Sequence, residues 1–425
     1  MMKILLIGSG GREHAIASTL VRSKNVQLFA LPGNPGISRT AQIVALDTKK
    51  YQEISNFCLE NSIDLVVIGP EQPIADGLSD ALRSNGINVF APSRSAAQLE
   101  TSKLFAKQFM EKYAIPTARF RAFDKSQKQA ALDYIRESNL PIVIKADGLA
   151  AGKGVIVANS FEEALKALEE MFSGSFGSAG EKIVVEEFMQ GEEASIFAIT
   201  DGNNFVTLAP AQDHKRILDG DKGKNTGGMG AYCPAPIVTF EVLEKVKSLI
   251  IEPTLKGMIA EGHPYIGCLY VGLMIDEGNP KVVEFNCRFG DPETQAVLSV
   301  FDGDFAELLF SAAKGELNIS AIREISRGYA TCVVLASEGY PDKYETGFEI
   351  TGLDEISDNV IVYHAGTKEI NGKIYTNGGR VLGVTAFGAT LKESQKNAYN
   401  AVNNIHFQNI YYRRDIAAKG LKNNN

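Results

Sequence analysis

A chain of 425 residues, 44% hydrophobic and 22% charged, is too long for one ordinary core and reads as a soluble protein of two to four units. Its 43 basic residues against 51 acidic ones leave a net charge of −8, which excludes a general nucleic-acid binder, since those carry a basic face. The scattered cysteines, Cys58, Cys233, Cys268, Cys287 and Cys332, form no C-x-x-C pair, which excludes a thiolate zinc site and a disulfide frame and points to a reducing cytoplasm.

No apolar run approaches the length of a membrane span. The run Lys3–Ile7 predicts a buried first strand rather than a signal peptide, because it is short and passes straight into Gly8-Ser9-Gly10-Gly11. A helix over Glu13–Ser23, strands at Gln27–Leu31 and Leu65–Ile68, a helix at Leu78–Arg83 and a short strand at Asn88–Phe90 follow. Strands separated by helices imply a parallel sheet, whose ligands bind beyond the carboxyl ends of the strands. Three loops rich in Gly and Pro fall there: Gly8–Glu13, Pro32–Gly36 and Gly69–Glu71. Next come a helix over Lys103–Tyr113, strands at Ile142–Lys145 and Val155–Ala158, a helix over Phe161–Phe172 and a strand at Ile183–Phe188. The piece Ser173–Gly180 is expected to be a mobile loop. Strands at Ala194–Thr200, Phe205–Ala209, Leu269–Ile275 and Lys281–Glu284 accompany a long helix around Val242–Ala260. The last block has strands at Ala330–Leu335, Ile361–Ala365 and Arg380–Thr385 and a helix over Leu391–Ile405. It reads as an α+β cap, with Gly420–Asn425 expected to be disordered. The fold class is therefore α/β, α+β in part.

Side chains two apart on a strand share a face, so Glu284, Asn286 and Arg288 would point the same way. A carboxylate and an amide oxygen suit Mg²⁺, which takes hard oxygen ligands together with nucleotide phosphates. Arg288 would balance charge on a transferring phosphoryl group, and Gly290-Asp291-Pro292 adds a carboxylate beyond the strand. Alone, this pattern more often marks a solvated face; the rest of the chain changes that. Gly8-Ser9-Gly10-Gly11-Arg12-Glu13 fails the dinucleotide fingerprint, having Glu at the last glycine position and no acid after the second strand, and fits a single phosphate better. Asp147–Gly154 is not a Walker A loop, because it joins two strands and Lys153 precedes Gly154. A glycine-rich flap over nucleotide phosphates fits it, with Lys145 in reach. Val184–Ser195 has the form of a hinge able to meet an adenine edge and a ribose. Asp213-His214-Lys215-Arg216 and Asn225–Gly230 flank a polar stretch expected to lack regular structure, and basic residues beside exposed backbone N–H groups there would make an anion site, with His214 a structural hydrogen-bonding residue. There is no Ser–His–Asp or Cys–His arrangement for an enzyme nucleophile.

Together these segments resemble the ATP-grasp ligases, most closely the glycinamide ribonucleotide synthetase family. The resemblance runs almost end to end, and its most distinctive string is Arg288-Phe289-Gly290-Asp291-Pro292-Glu293-x-Gln295. It implies an ATP-grasp fold with an N-terminal Rossmann-like parallel-sheet domain (residues 1–101), a central domain (102–120 and 192–326), a flap subdomain (121–191) and a C-terminal α+β domain (327–425). It also implies a cytoplasmic enzyme of purine biosynthesis that joins glycine to 5-phosphoribosylamine with ATP, through a glycyl phosphate. Expected cofactors are ATP and Mg²⁺ or Mn²⁺; nucleic acid and membranes are not expected as partners. A monomer is expected, and a dimer is left open. The alternative is another ATP-grasp carboxylate–amine ligase or a carboxylase of purine metabolism.

The same resemblance implies residue roles. Glu284 and Asn286 would hold the metal, Arg288 would stabilise the phosphoryl group, and Asp291 and Pro292 would lie near glycine. Lys103 and Lys145 would meet ATP phosphates under the flap residues Gly148, Gly152, Lys153 and Gly154. Glu186 and Phe188 would edge the adenine, and Glu193 the ribose. Gly10, Gly11, Arg12, Glu13, Asn34 and Glu71 would form the phosphoribosylamine pocket with Asp213, Lys215, Arg216 and Gly228. One departure stands out: relatives in the wider superfamily carry a further acidic ligand on the preceding strand, where this chain has Tyr270-Val271-Gly272-Leu273.

Overall fold

The structure, a computed structural model, describes residues 1–148, 154–173, 180–354 and 357–422. The apolar run Ile4-Leu5-Leu6-Ile7 is fully buried, as expected of a strand covered on both faces. It lies in strand β1 (Met2–Gly8), the centre of a parallel sheet with β2 (Val26–Pro32), β3 (Gln42–Ile43), β4 (Leu65–Ile68) and β5 (Val89–Phe90), in the order β3-β2-β1-β4-β5. The first helix, α1 (Gly11–Leu20), begins two residues before the predicted start. The reason is local: the Glu13 carboxylate turns back and accepts the Gly10 N–H at 2.6 Å, capping the helix at Gly10. Gly8 permits this at φ +129°, since a Cβ there would lie 2.4 Å from Glu13 Cγ. A helix over Tyr51–Glu60 fills a stretch where the residues alone predicted nothing.

The centre of the molecule is an antiparallel sheet of Phe205–Thr207, Glu192–Asp201, Ile266–Asp276 and Asn279–Asn286. Its inner residues and those of the parallel sheet share two continuous apolar clusters. The segment Phe120–Glu187 forms a second antiparallel sheet, ordered Phe120–Asp124, Lys182–Glu187, Ile142–Ala146 and Val155–Ala158. Together with helices Lys128–Glu137 and Phe161–Phe172 it closes a core of its own around Ile144 and Leu168. The expected mobile loop falls mainly on residues 174–179, outside the described residues.

Two expectations are corrected. The polar stretch between Arg216 and Asn225 is not irregular: Arg216–Leu218 pairs with Lys222–Asn225 as a hairpin, and the flanking Gln212–Asp213 and Gly230–Cys233 are strands that join Tyr329–Ser337, Arg380–Gly388 and Val360–His364 in one sheet. Gln212–Asp213 pairs with Gly230–Cys233, whose other edge is taken by the distant Tyr329–Ser337, as with Ala231 against Cys332, a partner that local composition cannot reveal. The long helix expected around Val242–Ala260 is present without a break, as Phe240–Val246 and Glu252–Ala260 continued through a π turn at Lys247–Ile251. Pro253, which has no N–H to donate, follows directly. The tail expected to be disordered from Gly420 is helical over Ala418–Lys422 and docks on Tyr232, where a Cβ at Gly420 would lie 2.5 Å from the ring; its residues 423–425 lie outside the described residues.

Candidate active site

Glu284 and Asn286 lie on the strand Asn279–Asn286, and Arg288 follows its end. The strand pairs with Ile266–Asp276, Gly272 standing opposite Glu284, with a register shift between Gly272 and Leu273. The period-two expectation holds: Glu284, Asn286 and Arg288 line one cavity of about 520 Å³, whereas Phe285 and Cys287 are buried. Lys103 Nζ stands 3.6 Å from the Glu284 carboxylate. Burial alone would raise the Glu284 pKa, but Lys103, Lys215, Lys145 and Arg288 outweigh it and bring it down to about 2. On the neighbouring strand the nearest acid, Asp276, sits at the far end opposite Asn279. Among the described residues no three His, Cys, Asp or Glu side chains form a metal-holding group. One carboxylate and one amide oxygen still suit Mg²⁺, which takes phosphate and water for the rest of its shell.

Arg288 is held from two sides, with Nε 3.1 Å from Glu71 and Nη2 2.9 Å from Glu100. These anions raise its pKa in spite of burial. Arg288 and Arg12 in turn hold Glu71 down at about 2 against the effect of burial.

The loop of the parallel sheet meets this cavity through Arg12, which donates to the Glu13 carboxylate at 2.7 Å and to the Phe289 carbonyl at 3.1 Å. Glu13 is spent on capping α1. Asn34 donates to the carbonyls of Ser9 and His364 and accepts from the N–H groups of Gly36 and Ile37, tying the second loop to the C-terminal sheet. Gly11 closes on helix Glu293–Val300, where a Cβ would meet Gln295 at 2.8 Å.

Asp213 and Lys215 also line the cavity. Lys215 pairs closely with Glu193 and, at 3.4 Å, with Asp213. Burial, helped by Glu293 and Glu193, pushes Asp213 up to about 7 despite Lys215. His214 between them points inward, buried and with neither ring nitrogen hydrogen-bonded among the described residues. It is thus not the hydrogen-bonding residue expected. Burial first, then the charges of Arg413 and Lys419, lowers its pKa to about 3. Arg216 is turned away to the Gly223 carbonyl at 2.8 Å. Gly228, at φ +107°, lets the ring of Pro292 approach: a Cβ there would lie 2.4 Å from Pro292 Cδ.

On the flap side, Gly148 and Gly154 line the cavity, and Gly152 and Lys153 lie outside the described residues. The Lys145 ammonium is 3.0 Å from Glu186 and donates to the Val283 carbonyl at 3.1 Å. Glu186 also pairs with the buried Lys107 at 3.0 Å, and its Oε1 has no partner among the described residues. Phe188 is exposed.

Sequence reasoning assigned no role to Glu100, Tyr270, Glu293, Tyr340 or Arg380, all of which line the cavity. Glu293 accepts from Tyr270 (2.9 Å) and Ser195 (3.1 Å). Its place next to the distinctive Gly290-Asp291-Pro292 turn was the available signal; Arg380 reaches the site only because the C-terminal sheet folds over it. The cavity thus gathers cations, hard oxygen donors and an acid with a near-neutral pKa and, among the described residues, no activated nucleophile. That inventory serves positioning and charge neutralisation in phosphoryl and acyl transfer.

Comparison with known proteins agrees with this reading. Models of the phosphoribosylglycinamide synthetase N domain, ATP-grasp (A) domain and C domain match residues 2–100, 101–294 and 330–419. The phosphoribosylamine–glycine ligase of Rhizobium meliloti is 49% identical over 421 residues, 99% of each chain. That of Neisseria meningitidis serogroup A is 48% identical over 424 residues, 99% of this chain and 100% of its own. The crystal structure of the Thermotoga maritima phosphoribosylamine–glycine ligase superposes with a TM-score of 0.86 at 36% identity, covering 97% of this chain and 100% of that one. The biotin carboxylase domain of Hydrogenobacter thermophilus 2-oxoglutarate carboxylase has a TM-score of 0.73 at 16% identity, covering 96% and 91%, and shares the fold alone. The chain belongs to the phosphoribosylglycinamide synthetase family, an ATP-grasp ligase family.

Proposed function

We propose that this protein joins glycine to 5-phosphoribosylamine in purine biosynthesis, with ATP converted to ADP and phosphate. The supporting observation is one cavity lined by Glu284, Asn286, Arg288 and Lys103 together with Arg12, Asp213 and Lys215. A carboxylate acylates poorly until one oxygen becomes a phosphate leaving group. The glycine carboxylate therefore attacks the γ-phosphorus of ATP, ADP leaves, and the amine of phosphoribosylamine attacks the acyl carbon of glycyl phosphate to release phosphate. Arg288 neutralises charge on the transferring phosphoryl group. Lys103 and Lys145 serve the nucleotide phosphates under the flap around Gly148–Gly154. Glu186, Phe188 and Glu193 line the nucleoside end. Asp291 and Pro292 place glycine, and the Gly10–Glu13 loop with Asn34, Glu71, Asp213, Lys215 and Gly228 shapes the phosphoribosylamine pocket, from which Arg216 is turned away.

Glu284 and Asn286 are the residues that would hold Mg²⁺, present with ADP in the Hydrogenobacter thermophilus structure; Mn²⁺ offers the same oxygen chemistry. Bound there, the ion would neutralise charge on the nucleotide's phosphate oxygens. We assign four units: 1–101, 102–120 with 192–326, 121–191 and 327–425. A cytoplasmic location fits the buried free thiols and the lack, among the described residues, of any helix long and apolar enough to cross a membrane.

The decisive measurement is phosphate release from ATP and Mg²⁺ with glycine and freshly generated phosphoribosylamine, leaving out one component at a time. Turnover is expected only with all of them present. Equal phosphate release without glycine would sink the reading.

A further inference from the structure

Glu100 is 3% exposed and lies 187 residues from Cys287 in the chain, yet both of its oxygens are spent on the end of the metal-site strand. Oε1 stands 2.9 Å from Arg288 Nη2; Oε2 accepts the Cys287 backbone N–H at 2.7 Å and the Cys287 thiol at 2.8 Å. One carboxylate thus grips the backbone before Arg288 and the guanidinium itself. The other anion on Arg288, Glu71, is looser: its side chain is 35% exposed and is shared with Arg12.

The same short segment carries Lys103, 3.6 Å from Glu284. The pairs run in opposite senses: acid to base at Glu100–Arg288, base to acid at Lys103–Glu284. Between them Ser102 donates to Asp147 at the root of the flap, at 2.9 Å. A buried, paired carboxylate fixes a guanidinium plane far better than a solvated one.

We infer that Glu100 is a positioning residue for the reaction: it orients Arg288 toward the transferring phosphoryl group and keeps it in register with Lys103. This rests on the phosphoryl-stabilising role proposed for Arg288. Its failure would lower the rate of the chemical step and leave nucleotide affinity alone.

The test compares Glu100→Gln and Glu100→Asp with the wild type by phosphate release at saturating substrates, with the ATP KM and the unfolding midpoint measured alongside. Glu100→Asp keeps the charge and withdraws it by one methylene, so it decides the matter if Glu100→Gln does not fold. The expected result is a kcat about tenfold to hundredfold lower per folded protein. The ATP KM should stay within about twofold, and adding Glu100→Asp to Arg288→Lys should cost less than about a further twofold. Wild-type kcat in a folded variant, an ATP KM that rises as kcat falls, or losses that multiply in the double variant would overturn the inference. Wild-type phosphate release without glycine would instead overturn the ligase reading. Glu100 is then judged on the same ratio of variant to wild-type ATP turnover.

Discussion

Arg380, on a strand of the C-terminal sheet, places Nη2 3.2 Å from the Asp291 carboxylate and donates through Nη1 to the Asp291 carbonyl at 2.9 Å. The same nitrogen donates to the carbonyls of Gly227 and Gly228. One guanidinium therefore ties the turn before helix Glu293–Val300 to the loop that packs on Pro292. Hydrogen bonds to charged groups contribute about 1.5–3 kcal/mol each. Arg380→Ala should lower kcat/KM for glycine about a hundredfold and leave the ATP KM within about twofold, as read from initial rates at varied glycine and ATP.

Glu284 is a metal-type oxygen donor surrounded by four cations. Glu284→Ala should cut turnover about a thousandfold, the scale for removing a group that supports transition-state charge. Its thermal unfolding should stay near that of the wild type, because the Glu284 side chain is 28% exposed and the Lys103 ammonium, 17% exposed, still reaches the cavity. The check is phosphate release across a Mg²⁺ titration. Near-normal rates at saturating Mg²⁺ would remove Glu284 from the metal site.

Glu186 is the counter-charge of two buried lysines, Lys107 and Lys145. Removing one partner of a buried pair leaves an uncompensated charge, so Glu186→Gln should destabilise the protein by about 3–5 kcal/mol in denaturant unfolding at pH 7. Burial brings Lys107 down to about 8 from 10.5 even with Glu186 present. The folded state binds that proton more weakly than the unfolded chain. The contribution of Lys107 to stability is therefore full above 10.5 and lost as pH falls through about 8. The deficit of Glu186→Gln should shrink between pH 7 and pH 10.

Asp213 behaves in the opposite sense. Its folded pKa, about 7, lies above the ordinary 3.8, so its contribution to stability is full below 3.8 and is lost as pH rises through about 7. Asp213→Asn, which does not ionise, should flatten the fall in unfolding midpoint between pH 5 and pH 9. An unchanged slope in thermal melts would show that the buried carboxyl is not the titrating group.

Local pattern was enough for much of the framework. The helix at Phe161–Phe172 and the strand at Leu65–Ile68 have the predicted limits, because apolar spacing and flanking polar residues act within a few positions. The common face of Glu284, Asn286 and Arg288 was legible for the same reason. Gly230–Cys233 was not, since its strand character comes from Tyr329–Ser337 in the chain's last third, and Gln212–Asp213 is a strand by pairing with Gly230–Cys233.

By itself the sequence determined the locally patterned strands and helices and the phosphate-type loops, and motifs spread along the chain, Arg288–Gln295 the most distinctive, pointed to the family. Only the tertiary structure decided who holds whom: Glu100 on Arg288, Arg380 on Asp291, Glu186 between Lys107 and Lys145. Backbone period and glycine conformation are properties of neighbours in the chain. An ion pair's strength depends on distance and on the water excluded around it, and those are set only when segments hundreds of residues apart close on one another.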